Sequence, residues 1–211
     1  QADIAGVFAG ADGLLLAATG SVVIVLLLIT YRSPILWIVP LAVVGVADQM
    51  AAKLAPNVAG WFDITPDASV TGILSVLVFG AGTDYALLLI SRYREELLQF
   101  TNRHEAMARA LRESGPAILA SGTTVILALL TLTFAQLDGN RALGIACATG
   151  VFLAMVTALT VLPAALVVFG RWIFWPLTPK FGGVNKSDSG LWAKLGKGVS
   201  RKPVIVAIVG F

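Results

Sequence analysis

From Val70 to Ile90 the chain reads VTGILSVLVFGAGTDYALLLI, with a single charged residue, Asp84. As a helix this run is about 31 Å long, close to the thickness of a bilayer's hydrocarbon core. Lipid leaves backbone groups no water to bond, so a run of this kind has to be helical. Four further apolar runs follow the same rule: 14–30, 34–52, 116–135 and 142–170. A sixth begins at 203–211. With 57% of 211 residues hydrophobic and only 13% charged, the fold class is an all-α integral membrane protein. The expected architecture is five complete spans plus the start of a sixth, with amphipathic helices on the cytoplasmic surface.

Taken in order, residues 1–13 form a short periplasmic segment leading into the first span. Tyr31-Arg32-Ser33 is a polar turn, and Pro34 opens the second span where its missing N–H costs nothing. That span should close near Ala52, with Asp48 close to its far end and a loop over 53–69. Trp61 and Phe62 suit the membrane interface. The stretch 92–114 is charged. Tyr93, Leu97 and Phe100 at helical spacing carry the third helix past the membrane, and Asn102 with Glu105 forms a capping box for a short surface helix. That helix should bury Ala106, Met107, Ala110 and Leu111. Gly115-Pro116 should end it and start the fourth span. Gln136 to Arg141 is a turn, Pro163 should kink the long fifth span, and Trp172 and Trp175 are interface anchors. Residues 171–202 are a cytoplasmic linker with a basic amphipathic segment. Both ends read as cut, which suggests part of a longer protein.

Charge sets the orientation. Of the fifteen Lys and Arg, only Lys53 and Arg141 fall on one side of the alternating spans. The positive-inside rule makes the other side cytoplasmic and places the N-terminus outside.

The one acid within the third span is the candidate site. A membrane carboxylate is costly and is usually retained for work. Tyr85 beside it offers a hydroxyl, and Gly80 and Ala81, one turn back, would let another helix approach. The fourth span carries a small and polar stripe, Ser121, Thr124, Ala128, Thr131 and Ala135, with Thr123 adjacent. Ser121 and Thr124 could pack a helix or line a hydrated path to Asp84. The fifth span's Ala146, Gly150, Ala154 and Ala158 read as packing. The sequence has no P-loop, GxGxxG or GxSxG, one cysteine (Cys147) and one histidine (His104). No enzyme, cofactor, metal or nucleic-acid partner is therefore expected.

These residues also resemble a family. Gly82-Thr83-Asp84-Tyr85 with Ser91-Arg92-Tyr93-Arg94-Glu95-Glu96 is similar to the signature of MmpL-type transporters, a branch of the RND superfamily. Tyr31-Arg32-Ser33-Pro34, Ser121-Gly122-Thr123-Thr124 and Leu162-Pro163-Ala164 match the same family, and the resemblance covers residues 3–211. It implies an RND-type bundle in which these spans are the second to sixth of twelve. It also implies proton-motive-force-driven export of a lipid or other hydrophobic molecule across a bacterial plasma membrane. Asp84 and Tyr85 match one Asp-Tyr pair of the family's proton relay. The implied partners are the substrate, membrane lipids, a second half bearing the matching pair, and further copies in a homo-oligomer. Two other readings stand beside it. One is a sterol-sensing-domain-like, lipid-binding module without proton coupling. The other is an intramembrane aspartyl protease, which needs a second facing acid, and Asp48 near a span end fits that poorly.

Overall fold

The structure, a computed structural model, describes residues 36–62, 64 and 68–175, together with 17, 18, 20–22, 25, 178, 179 and 182. Four long helices make up the bundle: α1 (Ile38–Gly60), α2 (Ala68–Gln99), α3 (Arg103–Leu130) and α4 (Asp138–Phe169). Short 3-10 turns, Thr131–Phe134 and Gly170–Phe174, extend α3 and α4. All four are long and apolar enough to cross a membrane. Of the first expected span, 14–30, the described residues are helical. The turn at 31–33, most of the linker and the sixth span lie outside the described residues.

Helix α4 is central and packs against the other three, while α2 also touches α1 and α3. Small side chains make this possible. Ala146, Ala154 and Ala158 are buried, and a Cβ on Gly150 would collide with Leu74 Cδ1 and lie 2.6 Å from Val78 Cγ2. The stripe read as packing therefore seats α2 against α4, through close contact rather than a hydrophobic drive that lipid cannot supply.

Two of the differences between the helix bounds and expectation have one reason. α1 does not stop near Ala52 but runs through Pro56 to Gly60. Ala47, Ala51, Ala55 and Ala59, every fourth residue, are at most 1% exposed. This buried stripe holds the helix together across the proline, and the Asn57 side chain donates to Lys53 O at 2.9 Å. Likewise Gly115-Pro116 does not separate a surface helix from a span, since α3 is unbroken. Ala106, Ala110, Ser114, Ile118 and Gly122 form a period-four buried stripe straight through Pro116. Gly115 lacks the Cβ that would clash with the following proline ring. Asn102 caps α3 as expected: its Oδ1 accepts from the His104 N–H at 3.0 Å, and its amide reaches Glu105 at 3.3 Å. α4 begins at Asp138, inside the expected turn.

Two apolar clusters divide the bundle. One gathers Tyr85, Leu89, Tyr93, Leu97, Met107, Ile118, Leu162, Leu166 and Phe174, and the other the alanine stripe of α1 with Val70, Leu74, Val78 and Ile145. The basic end is tied by two arginines. Arg171 donates to the Leu97, Phe100 and Thr101 carbonyls at 2.7–3.1 Å, closing the C-terminus of α2. Arg103 donates to Val168 O at 3.3 Å near the C-terminus of α4. Cations there satisfy orphan carbonyls and favour the helix dipole. Gly170, at φ +59°, makes the turn that brings Arg171 back. Arg92 pairs with Glu95, Glu96 and Glu113, joining α2 to α3.

Candidate functional site

Asp84 and Tyr85 are consecutive on α2, so their side chains diverge by about 100° around the helix. Tyr85 turns inward and is 3% exposed. Its hydroxyl lies beside the Ser121 side chain and 3.2 Å from the position a Cβ on Gly122 would take. Met155 of α4 closes the same point, with Sδ at 2.6 Å from that position. Gly122 is thus the residue that lets the phenol reach α3, because any side chain there would displace it. The Tyr85 and Ser-Gly-Thr-Thr motifs, apart in sequence, meet at this point, where the phenol reaches Gly122.

Asp84 turns the other way and is exposed within this chain. Gly80, one turn earlier, is also exposed, and a Cβ there would meet nothing within 4 Å. So no described helix comes close at Gly80. The close approach is at Gly82, where a Cβ would lie 2.9 Å from Val44 Cγ2 of α1. Ala81 is half-buried against the core. On α3, Ser121 and Thr124 are exposed, and the Thr124 hydroxyl donates to its own helix at Ala120 O, 2.8 Å. Only 11% of the most apolar window of α3 is buried, against 44–50% for the other three helices. Among the described residues, the faces that carry Asp84 and Gly80 on α2 and Ser121 and Thr124 on α3 are left open.

One residue with the same chemistry was misplaced by sequence reasoning. Because α1 continues to Gly60, Asp48 lies at mid-helix rather than near its end. It is 6% exposed, and its Oδ1 is buried without a hydrogen-bond partner among the described residues. The uninterrupted alanine stripe, 47-51-55-59, was the signal that could have placed it. No group of three or more metal-binding side chains occurs among the described residues. His104 sits exposed at the start of α3, and Cys147 is a free, buried packing residue.

The profile of the MMPL family matches residues 1–206. The chain belongs to the MMPL family. Among similar MMPL-type chains, ActII-3 of Streptomyces coelicolor is 45% identical over 96% of this chain and 28% of its own length. The apo-petrobactin exporter of Bacillus anthracis is 41% identical over 96% of this chain and 29% of its own. The protein named "Probable transport protein MmpL8" in Mycobacterium bovis is 36% identical over 71% of this chain and 14% of its own. The chain thus spans under a third of the length of these relatives. As an MMPL chain with four membrane-competent helices, it is a membrane protein.

Proposed function

We propose that this MMPL chain is part of a proton-driven exporter of a lipid or other hydrophobic molecule, with Asp84 and Tyr85 as half of its proton relay. The observation that carries this reading is an ionisable carboxyl within an apolar membrane helix, beside a buried phenol that reaches a second helix at Gly122. A carboxyl in that setting can take a proton from one side and release it to the other. A proton moved down a potential of 100 mV releases about 2.3 kcal/mol, enough to bias a two-state rearrangement. Similarity to proteins named as exporter and transporter supports the reading. So does the gathering of Arg92, Arg94, Arg103, Arg109, Arg112 and Arg171 at one end of the bundle, with Lys53 and Arg141 towards the other. We place the basic end in the cytoplasm of a bacterial cell and the open surface around Asp84 and Gly80 against a second set of helices bearing its own acid.

The test is transport into energised vesicles by the transporter containing this chain, wild type against Asp84→Asn, with membrane insertion checked by immunoblot. The amide keeps the shape and loses the exchangeable proton, so transport should fall at least tenfold while insertion stays normal. Transport at the wild-type rate would remove Asp84 from the coupling.

A further inference from the structure

The proton-coupled reading uses one acid, but the described membrane helices hold another. Asp48 is carried by α1, whose neighbours on that face are Val44, Ala47 and Ala51, all buried. Its Oδ1 has no hydrogen-bond partner among the described residues, and the residue is 94% removed from solvent. The nearest cation on its own helix, Lys53, is exposed and five residues on, about 140° away around the helix, so it does not face Asp48. The helices packed against α1 are α2 and α4. Their titratable groups within the membrane part are Asp84 and Tyr85 on α2 and Cys147 on α4. None of these is a cation, so the carboxyl has no described counter-charge.

Its level in the bundle is specific. Val44 meets Gly82, which pins α1 to α2 one turn from Asp48 and two residues from Asp84. The two helices run antiparallel. Asp48 is therefore about 6 Å from that contact towards the Gly60 end, and Asp84 about 3 Å towards the opposite end, an axial gap of about 9 Å. The same level is the seam between the two apolar clusters, which part between Val43 and Ala47 on α1, Val78 and Tyr85 on α2, and Ala154 and Met155 on α4. Buried polar Thr83 lies in that seam as well.

We propose that Asp48 is a second proton-binding carboxyl of the transport cycle, standing on the Gly60 side of the Asp84–Tyr85–Ser121 group. The step is a simple protonation: a water-borne proton forms the O–H bond on the carboxylate, and the same bond breaks when the proton moves on. A bare charge with an unpartnered oxygen is costly at this depth, and carrying a proton removes the charge. Proton release then requires α1 to shift against α2 and α4 so that water enters the seam.

This rests on the proton-driven reading, so the experiment uses one readout that is independent of transport. In the whole transporter reconstituted in liposomes, pH-difference infrared spectra are compared for wild type, Asp48→Asn and Asp84→Asn. Asp48→Asn should lose one titrating carboxyl band, distinct from the band lost in Asp84→Asn, and transport should fall at least tenfold with a flattened pH profile. Asp48→Glu should restore a titrating band and part of the transport. If the asparagine variant fails to insert, Asp48→Ser carries the same expectation. An Asp48→Asn spectrum identical to wild type would overturn the proposal, as would an unchanged transport rate and pH profile. If Asp84→Asn transports normally the relay reading fails, yet the infrared comparison still decides whether Asp48 binds a proton.

Discussion

The Tyr85 hydroxyl lies beside the Ser121 side chain, so the two hydroxyls are expected to act as a unit rather than as two independent contributors. Removing either hydroxyl removes the same contact. Tyr85→Phe and Ser121→Ala should each lower transport several-fold, less than Asp84→Asn. The double variant should be no worse than the poorer single one, a coupling that a double-mutant cycle on initial transport rates measures directly. Additive losses would mean that the two hydroxyls act separately. The residues of this group were legible from sequence because an acid inside an apolar run stands out. Their contact was not, since it depends on Gly122 and Met155 bringing α3 and α4 to the phenol. Asp48 was visible as a residue but misread as peripheral, because its span was expected to close near Ala52.

Glycines at the scale of the helix separate closed faces from open ones. At Gly150 an added side chain would run into Leu74 and Val78, whereas at Gly80 it would meet open space. Gly150→Val should therefore destabilise the bundle by about 1–3 kcal/mol through overpacking. Gly80→Val should cost nothing through contacts among these four helices, so its effect in a thermal scan of the purified transporter in detergent should be the smaller of the two. Equal effects at both positions would show that the Gly80 face is packed too. Three helices also outlast prolines that local rules treat as breaks or kinks, at Pro56, Pro116 and Pro163. In α1 and α3 a period-four row of buried small residues crosses Pro56 and Pro116, and tertiary contact along that row outweighs the lost backbone bond.

For the whole molecule the governing asymmetry is charge. The end that holds the α2–α3 ion pairs and the Arg171 and Arg103 carbonyl contacts is the basic one, and it is the proposed cytoplasmic face. In a Cys147→Ala background, Arg112→Cys should react with a membrane-impermeant thiol reagent only in inside-out vesicles. Asn140→Cys should react only in right-side-out vesicles. Both positions are exposed and lie near opposite ends of the bundle. The reverse pattern would invert the orientation and, with it, the direction in which Asp48 and Asp84 meet a proton.

Sequence alone determined that the chain is a helical membrane protein and which family it belongs to. Apolar runs of bilayer length admit no other backbone, and the Gly82-Thr83-Asp84-Tyr85 motif is local in the chain. Which faces close and which stay open was decided only in three dimensions. Small-residue stripes on α1, α3 and α4 look alike along the chain. Those of α1 and α4 find partners among the described helices, while the Thr124 side of α3 is exposed among them. The reason is physical: in lipid, small residues mark where a helix can approach, but only the arrangement of neighbouring helices settles whether one does.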